Sequence, residues 1–135
     1  VSFLQLPFLT YANDTAKRVA AYIENEIAVI SGHNVRTVVL ALEELAKFYG
    51  FSKDYEKIKY YSEKGIAYSL QMRSFYLLEN LYYFASYAYH HTQDIKMRDY
   101  YIHQCLALLT VQDDEKKKTH YMDIFKKRFG DDVIK

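Results

Sequence analysis

Val38-Val39-Leu40-Ala41-Leu42-Glu43-Glu44-Leu45-Ala46-Lys47-Phe48-Tyr49 and, forty residues on, Leu78-Glu79-Asn80-Leu81-Tyr82-Tyr83-Phe84-Ala85-Ser86-Tyr87-Ala88-Tyr89 are the stretches that decide the fold. In the first, Val38, Leu42, Leu45 and Tyr49 recur at four, three and four residues, the spacing of one face of an α-helix. The two stretches then align column by column. Leu42, Tyr82 and Met122 share a column, as do Leu45, Ala85 and Phe125, and as do Tyr49, Tyr89 and Phe129. In the helix that follows each, Tyr60-Tyr61 aligns with Tyr100-Tyr101, Gly65 with Cys105, and Ile66 with Leu106. A period near 40 in helical sequence indicates stacked helix pairs, because one pair alone leaves an apolar face uncovered.

Punctuation between the stretches supports long helices and short loops. The chain has one proline, Pro7, and four glycines, of which Gly32, Gly50 and Gly130 fall where helices are expected to end. Short polar residues mark the starts: Asn13 or Asp14 for a helix to about 30, Asn34 for one to about 49, Ser52 for a third, Thr92 or Gln93 for the fifth, and Asp113 for the sixth. No segment alternates with period two. The expected fold class is all-α: six or seven helices in antiparallel pairs stacked as a short superhelix, an α-solenoid. The 135 residues are read as one domain, with a degenerate first pair over 1–33 (residues 3–11 against a helix carrying Ala20 and Ile27), repeats at 34–70 and 71–110, and a capping helix at 112–130. Lys126 stands where Ala46 and Ser86 stand in the repeats, and a long charged side chain there would block a further helix. The tail Asp131–Lys135 then follows the last helix.

Composition narrows the function. Half the residues are apolar, which suits a packed core rather than disorder. Fifteen Tyr and eight Phe, with no Trp, supply rings that serve half-buried packing and recognition surfaces alike. A net charge of +1 disfavours direct nucleic-acid contact. The single cysteine, Cys105, excludes an internal disulfide and suits a reducing cytoplasmic setting. No run of 18 apolar residues implies a membrane span, and Val1-Ser2-Phe3-Leu4-Gln5-Leu6-Pro7 lacks the basic start and cleavage site of a signal peptide. The chain starts without Met, so the reading expects further sequence upstream.

Catalytic and metal chemistry find no constellation. Cys105 lies two residues after His103, about 200° around a helix, so the two do not converge. His33, His90, His91, His103 and His120 include no pair at i, i+4 and no Glu-x-x-His, and no CxxC, P-loop or GxGxxG is present. The expectation is a binding protein, not an enzyme, with no cofactor and no metal. Asp113-Asp114-Glu115 followed by Lys116-Lys117-Lys118 reads as acidic and basic residues placed along a helix dipole.

The pattern resembles the tetratricopeptide repeat. Leu42, Leu45, Ala46 and Tyr49, and again Tyr82, Ala85, Ser86 and Tyr89, hold that family's first-helix positions, and Asp54–Ile66 resembles its second-helix motif. The resemblance covers about residues 37–130 and departs from the family in lacking the first-helix Trp and the closing Pro, and in placing Ile58 and Arg98 where a small residue is usual. It implies an inner groove lined by the first helix of each pair. The ligand-facing positions become Leu40, Glu43, Lys47 and Gly50 in one repeat and Asn80, Tyr83, Tyr87 and His90 in the next. There Asn80 would meet a peptide backbone, Tyr83 and Tyr87 would flank a side chain, and Lys47 would meet a carboxylate.

Tyr-rich, Pro-poor helix pairs of this length are also similar to the peptide-sensing domains of bacterial quorum-sensing regulators, the Rap, Rgg, PlcR and PrgX group. That resemblance implies a short peptide ligand and the sensor part of a transcription regulator, with a homodimer as a natural assembly. The alternative is a plain scaffold holding a protein segment, and a third reading is an accessory or phosphatase domain.

Overall fold

The computed structural model describes residues 14–30 and 34–134. They form six α-helices: α1 (Asp14–Ile30), α2 (Val35–Phe51), α3 (Tyr55–Gln71), α4 (Leu78–His91), α5 (Ile95–Val111) and α6 (Glu115–Phe129), followed by a short 3-10 helix at Asp131–Val133 that lies on α6. The helices pack mainly with their sequential neighbours, as antiparallel pairs do, and α2 also touches α4. The expected helix over 3–11 and Gly32 lie outside the described residues.

The turns follow a rule that the glycines do not reveal. Lys53, Arg73, Gln93 and Asp113 stand twenty residues apart and all adopt left-handed backbone, with φ of 58°, 53°, 64° and 56°. The residue after each donates its amide five residues back, closing the last turn of the preceding helix: Asp54 to Tyr49 O (3.0 Å), Ser74 to Ser69 O (2.9 Å), Asp94 to Tyr89 O (2.9 Å) and Asp114 to Leu109 O (3.1 Å). Three of these residues then cap the next helix, their carboxylates accepting from the amides of Lys57 (3.2 Å), Met97 (3.2 Å) and Lys117 (3.1 Å). This corrects the expected starts. Ser52 and Thr92 end helices instead of opening them, Gln93 and Asp113 are the left-handed turn residues, and Asp54, Asp94 and Asp114 are the caps. Asn34 caps α2 as expected, accepting from Arg36 N at 2.8 Å. Gly50 is helical, one residue inside the end of α2, whereas Gly130 ends α6 with φ 109°.

The repeat columns make the core. Leu42, Leu45, Leu81, Ile102, Leu109 and Phe125 are fully buried, each aliphatic contributing about 1.5–3 kcal/mol relative to exposure. The Gly65/Cys105 column is small for a steric reason. A Cβ on Gly65 would sit 3.0 and 3.1 Å from the Leu81 methyls, so α3 and α4 approach closely there. Cys105 is likewise buried, its Sγ 3.7 Å from Glu79 O, and burial pushes its thiol up to about 12. Arg98, large where the family pattern is small, is buried by partners: its Nε donates to Asp99 (2.9 Å), its Nη1 lies 3.0 Å from His90 Nδ1, and its guanidinium covers the Phe129 ring.

Two acid–tyrosine clamps tie the pairs together. Glu24 of α1 accepts from Tyr49 of α2 (2.6 Å), from Tyr61 of α3 and from Lys57 (3.0 Å). Glu63 of α3 accepts from Tyr89 of α4 (2.9 Å) and Tyr101 of α5 (2.5 Å). In both, the two tyrosine rings stack at 5.9 Å. The tyrosines keep the 40-residue period, but the two glutamates are 39 apart, so an alignment at a strict shift of 40 passes over them.

Candidate functional site

The first helix of each pair, α2, α4 and α6, contributes to one face. Side chains spaced four apart on a helix stand one turn above another, so Glu43 and Lys47 on α2, and Tyr83 and Tyr87 on α4, form two short columns side by side. α6 supplies the third wall through Ile124 and Arg128.

The lower part is a cleft of about 260 Å³ lined by Glu43, Lys47, Asn80, Tyr83, His120 and Tyr121, among others. Its floor is a chain of hydrogen bonds across all three helices. Tyr121 donates to Asn80 Oδ1, and Asn80 Nδ2 donates to Glu43 Oε2 at 3.3 Å. Lys47 Nζ lies 3.8 Å from Glu43 and 3.2 Å from Glu44. Glu43 is only 3% exposed. Burial raises its carboxyl to about 7, with Lys47 pulling the other way and Glu44 adding to the rise. The Asn80 amide is therefore engaged at both ends, leaving one N–H and one lone pair for a ligand backbone.

The upper part, about 390 Å³, is lined by Lys47, Gly50, Phe51, Lys53, Tyr83, Phe84, Tyr87 and Arg128. It continues past Tyr87 and Arg128 into an open cleft of about 610 Å³ between the α2–α3 turn and α6, lined by Lys53, Tyr55, Tyr87, His91, Ile124, Lys127 and Arg128. Tyr55 and His91 stack there at 4.9 Å with planes 4° apart, and Tyr87 closes on His91 at 4.5 Å.

Glu43, Lys47, Asn80 and Tyr83 thus meet in one cleft, and Lys47, Gly50, Tyr83 and Tyr87 in the adjoining one. His90 stands apart from them. Its ring packs on Phe129 at 4.5 Å and its Nδ1 faces Arg98; burial, then the Arg98 and His91 charges, lower its pKa. Its neighbour His91 enters the aromatic group instead. The reading of the sequence also passed over Lys53, Tyr55, Phe84, Tyr121, Lys127 and Arg128. For Lys127 a signal existed, since the column Lys47–Tyr87 reaches Lys127 after forty more residues, and the Asn80 column likewise reaches His120. Arg128 falls in no ligand-facing column, and Lys53 and Tyr55 come from a turn and a second-helix start.

Among the described residues no group of three or more His, Cys, Asp or Glu side chains is arranged to hold a metal ion, and no helix is long and apolar enough to cross a membrane. In comparisons with protein-family models, curated proteins and solved structures, no family model, curated protein or solved structure matches this chain.

Proposed function

We propose that this chain is a tetratricopeptide-type regulatory domain that binds a short peptide across α2, α4 and α6 and performs no chemistry on it. One observation carries the reading: three helices bring Lys47, Tyr83, Tyr87 and Arg128 to a continuous cleft with a ring-lined wall. Three helices at ~9 Å spacing span roughly 20 Å, the length of about six extended residues. Rings with few rotatable bonds recognise side chains at low entropic cost, and the remaining N–H and lone pair of Asn80 suit a peptide backbone. By analogy with the quorum-sensing regulators it resembles, the domain serves as the sensor part of a bacterial transcription regulator. Peptide would act by favouring one arrangement of the stack, or of a homodimer, over another.

Fluorescence anisotropy with labelled hexapeptides of mixed apolar and polar sequence tests this. Tyr87→Ala is expected to weaken binding about tenfold, the loss of one anchor ring at a contact surface. Asn80→Ala should weaken it further while also freeing Tyr121 and Glu43. Unchanged affinity in both variants, or no peptide bound by the unmodified chain, would refute the assignment.

A further inference from the structure

We infer that the peptide is acidic, and that its carboxylate is received by Lys53, Lys127 and Arg128 where α6 faces the α2–α3 turn, beside the rings of Tyr55, Tyr87 and His91. This rests on the peptide-groove reading above and adds the class of ligand.

Eighteen basic and seventeen acidic residues leave the chain nearly neutral, so a cluster of one sign is a matter of placement and not of composition. Three cations, one from the α2–α3 turn and two from α6, line this cleft, and among the described residues no Asp or Glu does. The same holds for the adjoining part, where Lys47 joins Lys53 and Arg128. Four basic residues elsewhere meet acids, Lys57 with Glu24, Lys59 with Glu56, Lys117 with Glu79 and Arg98 with Asp99, so what sets this cleft apart is that its cations gather with no acid among them. The side chains of Lys53, Lys127 and Arg128 make no ion pair or hydrogen bond with any described residue. Among the described residues, the positive charge at this spot therefore has no acidic partner within hydrogen-bond reach.

The aromatic wall tells what kind of anion fits. Tyr55, Tyr87 and His91 give an apolar surface beneath the cations, which accepts a side chain adjacent to the charged group and displaces water from it. The Arg128 charge already reaches the Tyr83 and Tyr87 phenols, pulling against the rise that burial gives them. A guanidinium matches a carboxylate with two parallel hydrogen bonds. α2, α4 and α6 all present their carbonyl ends at this level, which partly offsets the cations; the residual field suits a singly charged carboxylate better than a phosphate dianion. A nucleic acid would require a longer basic stripe than three residues.

The test uses the 135-residue chain and three labelled, C-terminally amidated hexapeptides that share an apolar sequence and end in two Glu, two Gln or two Lys. The Glu peptide is expected to bind about tenfold more tightly than the Gln peptide, the sum of a few exposed charge pairs, with the Lys peptide weakest. The advantage should shrink between 50 and about 300 mM salt, since exposed pairs are screened over such distances. It should vanish in the triple variant Lys53→Gln, Lys127→Gln, Arg128→Gln, whose three sites are exposed and whose unfolding midpoint should fall only slightly as two cations leave the C-terminal turn of α6. Equal binding of Glu and Gln peptides overturns the inference and leaves the groove reading standing. Failure of all three peptides removes both. Displacement of the Glu peptide by equimolar inorganic phosphate overturns it in favour of a phosphate site.

Discussion

Glu24 and Glu43 are carboxylates on neighbouring helices of the same stack, α1 and α2, and their surroundings drive them in opposite directions. Burial raises both. At Glu24 the donors Tyr49, Tyr61 and Lys57 outweigh burial and hold the carboxyl below its ordinary range. At Glu43 the burial is deeper and the compensation thinner: an Asn80 amide at 3.3 Å, an ammonium at 3.8 Å and the neighbouring Glu44 working against them. The clamp has its needs met from within the protein. The groove floor and the cations above it do not. An element that only holds helices together is selected for saturation, whereas a recognition surface must keep part of its bonding capacity for another molecule.

The largest effect should come from stripping a clamp. Tyr89→Phe with Tyr101→Phe leaves Glu63 without the two hydroxyls it now accepts from, and should cost about 3 kcal/mol, since hydrogen bonds to charged groups contribute about 1.5–3 kcal/mol each. The matching pair Tyr49→Phe with Tyr61→Phe should cost less, because Lys57 still reaches Glu24. Urea unfolding of the two double variants decides it, and an equal loss in both would show that Lys57 adds nothing.

Glu43→Gln should act the other way. A carboxyl raised to about 7 in the folded chain stabilises it most below the unfolded value of 4.5, and that contribution is lost as pH rises through 7. The variant should therefore be more stable than the parent at pH 8, by roughly 2 kcal/mol, and no more stable at pH 4.5. Glu24, held low, has the opposite profile: its contribution is present above 4.5 and lost as pH falls through its lowered value. Unfolding curves at pH 4.5 and 8 read Glu43, and a further curve near pH 3 reads Glu24; a Glu43→Gln advantage that does not depend on pH would mean its carboxyl is not the group responsible. The smallest contrast lies among the lysines. Lys57→Gln removes a pair at 3.0 Å and a cation over the Tyr49 ring, and should cost about 0.5 kcal/mol. A thermal melt in which Lys57→Gln matched the parent would erase this last difference between clamp and groove.

Much of the helix layout could be read without coordinates. Apolar spacing at three and four, the 40-residue period and the shortage of Gly and Pro led to six or seven antiparallel helices with Asn34 opening the second, and six stand among the described residues in mainly sequential contact. Turn details were less legible. Glycine is the usual left-handed residue, but here Lys53, Arg73, Gln93 and Asp113 take that conformation, which sequence-based rules assign to them rarely. The caps were consequently placed one or two residues early.

The sequence by itself determined what depends on neighbours along the chain: which segments are helical, which columns are apolar or small, and that α2, α4 and α6 are equivalent helices. Only the tertiary structure decided which polar groups meet. It gave Glu24 and Glu63 their tyrosines from two other helices, set His90 against Arg98 and Phe129, and gathered Lys53, Lys127 and Arg128 around the Tyr55–His91 stack. The reason is physical. Helical periodicity is a local property with a fixed repeat, so it is written in the order of residues. The partner of a long polar side chain depends on how far two helices are offset and on a one-residue difference in loop length. A single residue of slip, as between Glu24 and Glu63, is enough to hide it from any fixed-period alignment.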